Sequence, residues 1–118
     1  MASNAKQLRI LVVDDHKDTV DLTALLLSNR GYSVARAYSV EEAKTAASAI
    51  RCDVLMTDGS LPDGNGVELM REFKAKYGMA GIMVSGTIED GSTIEAEGFT
   101  FLPKPLNFQK LLGLLESL

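Results

Sequence analysis

The sequence contains few of the features that would indicate a secreted, membrane-bound or nucleic-acid-binding protein. It has one cysteine, Cys52, which excludes an internal disulfide and fits a reducing compartment. Its apolar runs are far shorter than the roughly 20 residues that a membrane-spanning helix needs. Residues 1–7 lack the apolar core of a signal peptide and are expected to form a disordered lead-in. The formal net charge is −4, and lysine and arginine form no run that would supply a basic patch. These absences favour a cytoplasmic protein without membrane insertion or direct nucleic-acid binding.

What the sequence does contain is a regular alternation of strand-like and helix-like segments. Apolar segments that predict strands cover residues 8–13, 32–37, 54–57, 81–85 and 99–102. Predicted helices cover residues 18–30, which Gly31 terminates, then a segment from Ser39 to about residue 51, residues 67–77 and a last helix capped by Asn107. Residues 62–66 predict a loop by their composition. We therefore predict one α/β domain over residues 8–118, a doubly wound, five-stranded parallel sheet in the order 2-1-3-4-5 with helices on both faces.

Charged residues follow three of the predicted strands. Asp14 and Asp15 follow the first strand, Asp58 follows the third, and Lys104 follows the fifth. Ligands of open α/β sheets bind beyond the carboxyl ends of the strands, so we expect these side chains at one edge of the sheet. Crowded carboxylates repel one another unless they are protonated or bridged by a cation. The pattern therefore predicts a divalent-metal site with a lysine available for an anion.

Five short motifs occur in a fixed order at the predicted strand ends. They are Val12-Val13-Asp14-Asp15-His16, Met56-Thr57-Asp58, Leu61-Pro62-Asp63-Gly64-Asn65-Gly66, Val84-Ser85-Gly86 and Lys104-Pro105. Each motif alone is weakly specific, but the complete ordered set is highly specific. With it, the sequence resembles a receiver domain of the two-component response regulators from about residue 8 to residue 118.

The resemblance implies a phosphoacceptor and a metal site. Asp58 would accept the phosphoryl group as a carboxylate nucleophile. Asp14, Asp15, Asp58 and the backbone carbonyl of Ser60 would hold Mg²⁺ or Mn²⁺, whose preference for oxygen ligands suits this set. The implied phosphodonor is a sensor histidine kinase or a histidine phosphotransfer protein. Such a domain is not an enzyme for a free substrate, because it catalyses only the phosphorylation and dephosphorylation of its own aspartate.

The resemblance also implies residues that respond to the phosphoryl group. Lys104 would pair with the group and Ser85 would donate a hydrogen bond to it. Phe101 occupies the aromatic switch position, although it equally suits a buried position in a strand. Engagement of Ser85 would draw the Phe101 ring inward and so change the surface of the domain.

The charged residues have plainer explanations when each is taken alone. Asp14 and Asp15 suit the first turn of a helix, Asp58 before a glycine suits a turn, and Lys104 suits a solvated loop. Their joint occurrence after buried strands favours the functional interpretation. His16, the only histidine, is expected to have a rim or capping role, since one histidine makes no zinc site.

Two other classes of function are possible for such a fold. A receiver-like module that only binds other proteins would normally have lost one of the charged residues, and all four are present. An enzyme is disfavoured because the Asp-x-Asp pattern of aspartate phosphatases, a glycine-rich dinucleotide turn and a P-loop are all missing. Both a stand-alone regulator and a domain of a hybrid kinase or larger regulator are compatible with the sequence.

The sequence departs from the family in the segment before the last strand. The interval from Ser85 to Lys104 is about one helical turn shorter than the family leads us to expect. The fourth helix can therefore hardly exceed residues 92–97, and so short a helix has little stability of its own. We predict a short, mobile fourth helix. Because the face that includes this helix is the usual dimerisation surface of the family, the oligomeric state stays open and the standard dimer is in doubt.

Overall fold

Five parallel strands form the central sheet of the protein, which a computed structural model describes over residues 8–86 and 91–118. The strands of this sheet are β1 (Arg9–Val13), β2 (Ser33–Ala37), β3 (Val54–Asp58), β6 (Ala80–Ser85) and β7 (Thr100–Pro103), and two short strands outside it are β4 (Ser60–Leu61) and β5 (Gly64–Asn65). The helices are α1 (Lys17–Ser28), α2 (Val40–Ala49), α3 (Gly66–Tyr77), α4 (Gly91–Ala96) and α5 (Phe108–Glu116). The sheet has the order β2-β1-β3-β6-β7, so the predicted order of the five long strands is confirmed. The predicted lead-in over residues 1–7 lies outside the described residues.

The alternation of side chains along β1 explains why its residues 10–13 are continuously apolar. Ile10 and Val12 belong to the core on one face of the sheet, where α1 and α5 pack. Leu11 and Val13 belong to the core on the other face, which α2, α3 and α4 cover. Both faces of a parallel sheet are buried in this way, so each of the positions 10–13 is apolar, whereas Arg9 at the start of the strand is exposed.

Side-chain caps fix where three of the helices begin. Ser39 accepts a hydrogen bond from the amide of Glu42, and Asn107 accepts one from Lys110, which confirms the two predicted caps. Asn65 caps α3 in the same way by accepting from the amide of Glu68, a cap that the sequence analysis did not identify. Each cap satisfies a backbone donor that the first turn of a helix leaves without a partner.

The end of α1 differs slightly from the prediction. The helix ends at Ser28 with Asn29 as its C-cap, two residues before the predicted boundary at residue 30. Gly31 follows with a φ of +94°, and the amides of Gly31 and Tyr32 donate to the carbonyls of Ser28 and Leu27. Glycine is favoured at this position because the left-handed conformation costs it nothing.

The prediction of a plain loop over residues 62–66 holds for the turn at residues 62 and 63 but is wrong for residues 64–66, which belong to β5 and the start of α3. β4 and β5 form a short antiparallel hairpin in which Ser60 pairs with Asn65 and Leu61 pairs with Gly64. The turn of this hairpin is tied to α2, because the carboxylate of Asp63 accepts hydrogen bonds from the amides of Val40 and Glu41. A carboxylate on two helix N-terminal amides is favoured by the helix dipole. The composition of a turn does not reveal such a contact with a distant helix.

Candidate functional site

The carboxyl ends of β1, β3 and β7 bring Asp14, Asp58 and Lys104 together. The Lys104 ammonium donates to Oδ2 of Asp58 at 3.2 Å and lies 3.5 Å from Oδ2 of Asp14. Asp14 and Asp58 are 44 residues apart in sequence, and the parallel register of β1 on β3 places Val13 beside Thr57, the residues that precede them. The strand topology therefore positions the charged side chains at one edge of the sheet.

The acidic residues at this edge converge on a common point. One ligand atom from each of Asp14, Asp15, His16 and Asp58 lies within 4.8 Å of the others. Asp14 is buried and Asp58 half-buried, whereas Asp15 and His16 are exposed. Carboxylate oxygens are hard donors of the kind that Mg²⁺ and Mn²⁺ prefer, and the open side of the cluster leaves room for water ligands. The donor set therefore fits a hard divalent cation.

Asp14 is held in its charged form although it is buried. Burial alone raises the pKa of its carboxyl, but hydrogen bonds from the backbone and ring of His16 and the charge of Lys104 outweigh that effect and lower the pKa below its ordinary value. Burial lowers the pKa of the Lys104 ammonium. The charges of Asp14 and Asp58 outweigh that effect, so its pKa is raised above the ordinary value. The buried carboxylate and the ammonium are thus an ion pair at neutral pH.

Asp58 is fixed by its neighbours along the chain. Its Oδ1 accepts a hydrogen bond from the amide of Gly59 at 2.6 Å, while its backbone carbonyl accepts one from the Thr57 hydroxyl at 2.9 Å. The start of α3 lies so close that a Cβ on Gly66 would overlap the carbonyl oxygen of Asp58. Only glycine fits at position 66 for this reason. The other carboxylate oxygen of Asp58, Oδ2, is directed toward Lys104.

The three other residues predicted for the site lie on elements that flank Asp58. Ser85 ends β6, is buried, and its carbonyl accepts a hydrogen bond from the amide of Lys104. Phe101 lies half-buried on β7 beside Met83 and packs against the core on the face of α2, α3 and α4. Ser60 is exposed at the start of β4. A Cβ on Gly59 would come within 3.3 Å of the Ser85 hydroxyl, so glycine there keeps the space between Ser85 and the Asp58 segment open.

His16 lies closer to the carboxylates than its expected rim or capping role requires. It is the N-cap residue of α1, but within the described residues its side chain makes no capping hydrogen bond. Its Nδ1 lies 3.0 Å from Oδ1 of Asp14 and 3.4 Å from Oδ1 of Asp15. Of the two expected roles, the ring has the rim position, 70% exposed at the edge of the cluster, and it contacts the carboxylates instead of capping the helix. They also raise the pKa of His16, chiefly through the hydrogen bond with Asp14.

A pocket opens beside the charged residues, between β1, β3 and the start of α1. Its lining includes Thr19, Thr23 and Met56 together with Asp14, Asp58 and Lys104. The two threonines could not be recognised from the sequence, because their helical spacing is that of ordinary core positions. None of the helices in the described ranges is long and apolar enough to cross a membrane.

Comparisons with known proteins agree with this architecture. The family model described as "Response regulator receiver domain" matches residues 10–116. A response regulator receiver protein from Anaeromyxobacter sp. (strain Fw109-5) is 34% identical over 110 residues, which cover 90% of this chain and 46% of that protein. The chain thus spans about half the length of this relative.

Solved structures are similar along almost the whole chain. A two-component response regulator from Clostridium difficile has a TM-score of 0.86 at 26% identity and covers 94% of both chains. The response regulator TrrA from Thermotoga maritima, solved in complex with Mg²⁺-BeF, has a TM-score of 0.83 at 25% identity and covers 93% of this chain and 97% of its own. Since the family model spans nearly the whole sequence and the predicted strand order is the one observed, the protein belongs to the response regulator receiver domain family.

Proposed function

We propose that the protein is a phosphoacceptor of a two-component phosphorelay, with the receiver domain over residues 8–118 and Asp58 as the acceptor. The observation that supports this most directly is the position of the Lys104 ammonium, 3.2 Å from Asp58 and 3.5 Å from Asp14. A lysine held between two carboxylates at the edge of a sheet is placed to pair with an incoming phosphoryl group. The phosphodonor would be a phosphohistidine of a sensor histidine kinase or of a histidine phosphotransfer protein.

The reaction transfers one phosphoryl group to a carboxylate. A carboxylate oxygen of Asp58 attacks phosphorus, and the new O–P bond forms as the N–P bond to the donor imidazole breaks. The electron pair of that bond returns to the imidazole nitrogen, which the solvent reprotonates as needed. Bringing a phosphoryl dianion to a carboxylate is opposed by charge repulsion. The Lys104 ammonium, which contacts Oδ2 of Asp58, reduces that repulsion. The protein turns over no free substrate in this scheme, since both phosphorylation and dephosphorylation occur on its own Asp58.

A divalent cation completes the proposed site. Mg²⁺ or Mn²⁺, held by Asp14, Asp15, Asp58 and the backbone carbonyl of Ser60, would supply charge neutralisation for the phosphoryl oxygens. The T. maritima relative was solved with Mg²⁺-BeF, which supports the assignment for this chain. The convergence of the acidic ligand atoms within 4.8 Å supports it independently.

Two further residues would convert phosphorylation into a change of shape. Ser85 is buried at the end of β6, next to the strand that carries Asp58, and would hydrogen-bond the new phosphoryl group. Phe101 lies half-buried on the neighbouring strand β7, so its ring can pack further inward when Ser85 moves. In this scheme the pair links the site to the surface formed by α4, β7 and α5.

The test is intact-mass measurement after incubation with Mg²⁺ and a small-molecule phosphodonor such as acetyl phosphate. The wild-type protein should gain one phosphoryl group, and Asp58→Asn should gain none. Asp18→Asn, which removes an exposed carboxylate from the first turn of α1, is the matched control and should be phosphorylated like the wild type. If the wild type takes up no phosphoryl group and also fails to bind beryllofluoride, the protein is instead a receiver-like interaction module.

A further inference from the structure

The position of the His16 ring adds a nitrogen atom to the acidic cluster. Its Nδ1 lies 3.0 Å from Oδ1 of Asp14 and 3.4 Å from Oδ1 of Asp15. Two ligands at adjacent corners of an octahedron with bonds of about 2.1 Å are roughly 3.0 Å apart. Without an ion, the 3.0 Å contact with Asp14 is a hydrogen bond. Its length also equals the spacing of adjacent ligands, so a cation could replace the shared proton with little movement of the ring.

Lys104 does not compete for the same carboxylate oxygen. It lies near Oδ2 of Asp14, whereas His16 contacts Oδ1. The His16 side chain is 70% exposed, so the ring can adjust its orientation toward an ion without disturbing the core. Asp14 can consequently interact with the ammonium through one oxygen and share a cation with the imidazole through the other.

We propose that His16 is a ligand of the cation site, together with Asp14, Asp15 and Asp58, and that it shifts the preference of the site from Mg²⁺ toward transition-metal ions. This inference rests on the metal site of the proposed function. Carboxylates and water suit Mg²⁺, whereas imidazole favours Ni²⁺, Cu²⁺ and Zn²⁺. Magnesium also dehydrates reluctantly and gains little from a nitrogen ligand. The receiver is therefore selective among divalent cations through a residue outside its acidic set.

The single histidine of the chain makes this directly measurable. Tag-free, ¹⁵N-labelled protein is titrated with the diamagnetic ions Zn²⁺ and Mg²⁺, and the two imidazole nitrogens of His16 are followed by long-range ¹H–¹⁵N correlation spectra. Zn²⁺ should move the resonance of the ligating nitrogen strongly and in proportion to site occupancy. The only thiol, that of Cys52, could also bind Zn²⁺. It is buried before the amino end of β3, at the edge of the sheet opposite to the acidic cluster, so it cannot contribute to this site.

Calorimetric titration of variants separates the two parts of the inference. His16→Gln should lower the affinity for Zn²⁺ by about tenfold or more, while the affinity for Mg²⁺ changes little. Asp15→Asn should weaken the binding of both ions, because it removes an oxygen ligand that each would use. Lys17→Gln, an exposed change next to His16, should leave both affinities unchanged.

The outcomes also separate this inference from the proposed function. If Mg²⁺ and Zn²⁺ both bind but the imidazole resonances do not respond, or His16→Gln weakens both ions equally, His16 is not a selective ligand and the phosphoacceptor proposal stands. If the wild type binds neither ion, the proposed metal site fails and the inference fails with it.

Discussion

At the scale of single residues, Lys104 has the largest influence on the charge of the site. Lys104→Met keeps the length of the side chain but leaves the carboxylates of Asp14 and Asp58 facing each other without the ammonium. We expect the free energy of unfolding at pH 7 in EDTA to fall by about 1 kcal/mol, between the values for an exposed and a buried ion pair. Urea denaturation measures this change.

Lys110→Met is the control for Lys104→Met. Lys110 is exposed on α5. Its backbone amide donates to the capping side chain of Asn107, and this bond does not involve the Lys110 side chain. This variant should be as stable as the wild type. If the two variants have the same stability, the ammonium of Lys104 does not relieve the repulsion between the carboxylates.

His16 should make the stability of the metal-free protein depend on pH. The hydrogen bond with Asp14, and then the charges of Asp15 and Asp14, raise the pKa of His16 in the folded protein. A group with a raised pKa contributes stability below its unfolded pKa, about 6.5, and this contribution is lost as pH rises through the folded pKa. The stability difference between wild type and His16→Gln in EDTA should therefore be largest near pH 5.5 and disappear near pH 9. Urea midpoints at both pH values test this, and an equal difference at the two would contradict it.

Gly66 should reverse the usual effect of replacing glycine by alanine in a helix. Alanine is favoured over glycine in helices by about 1 kcal/mol, but a Cβ at Gly66 would overlap the Asp58 carbonyl. We expect Gly66→Ala to lower the free energy of unfolding and to slow the phosphorylation of Asp58. Gly113→Ala in α5, where a Cβ would meet nothing within 4 Å, should be neutral or stabilising. Urea denaturation of both variants gives the comparison, and equal stabilities would contradict it.

At the scale of secondary structure, the sequence was most informative where an element was buried on one or both faces. The continuous apolar run of β1 and the caps at Ser39 and Asn107 located their elements to within a few residues. The hairpin of β4 and β5 was missed because it depends on Asp63 binding the amides of α2, a contact between distant segments. Boundaries such as the end of α1 shifted because backbone bonds in the terminal turn decide them.

The short helix α4 should be the least protected helix of the fold. It has six residues, as predicted, and is held by the buried Ile94 and by Glu97, which follows it. Arg71 on α3 donates two hydrogen bonds to the Glu97 carboxylate, and Lys74 donates one to its carbonyl. Six residues are too few for a helix to be stable without such contacts. The mobility predicted from the sequence should appear as faster hydrogen exchange in α4 than in α3.

Removing the carboxylate of Glu97 tests this attachment. Glu97→Gln should speed exchange in α4 further, because it weakens the charge-assisted pair with Arg71 that lowers the pKa of Glu97. Glu95→Gln, at an exposed position within the helix, is the control and should leave exchange unchanged. Equal exchange in both variants would show that the pair between Arg71 and Glu97 does not hold the helix.

At the scale of the whole molecule, the arrangement of the candidate site followed from topology. Parallel strands end at one edge, so the meeting of Asp14, Asp58 and Lys104 could be predicted from three separate motifs. The direction of the His16 ring could not, because it depends on a side-chain rotamer and on the balance between two carboxylates and a helix terminus. Sequence patterns thus predict which strand ends meet more reliably than they predict which side chains turn toward them.

The short α4 also bears on how the domain assembles. A stable interface buries about 600 Å² or more on each partner, and a six-residue helix is only about 9 Å long. We therefore expect the face of α4, β7 and α5 to be a poor surface for a symmetric dimer. We expect sedimentation to show a monomer at micromolar concentration, both alone and with Mg²⁺ and beryllofluoride.

The exposed leucines of α1 provide the means to interpret any dimer that forms. Leu22 and Leu25 are each 57% exposed on the opposite side of the sheet from α4. A dimer abolished by Leu22→Glu with Leu25→Glu would use α1 and leave the prediction for α4 intact. A dimer that survives this pair of changes, but is lost when Glu95 in α4 and Gln109 in α5 are replaced by lysine, would contradict it. The outcome decides whether shortening one helix is enough to remove the family's usual interface.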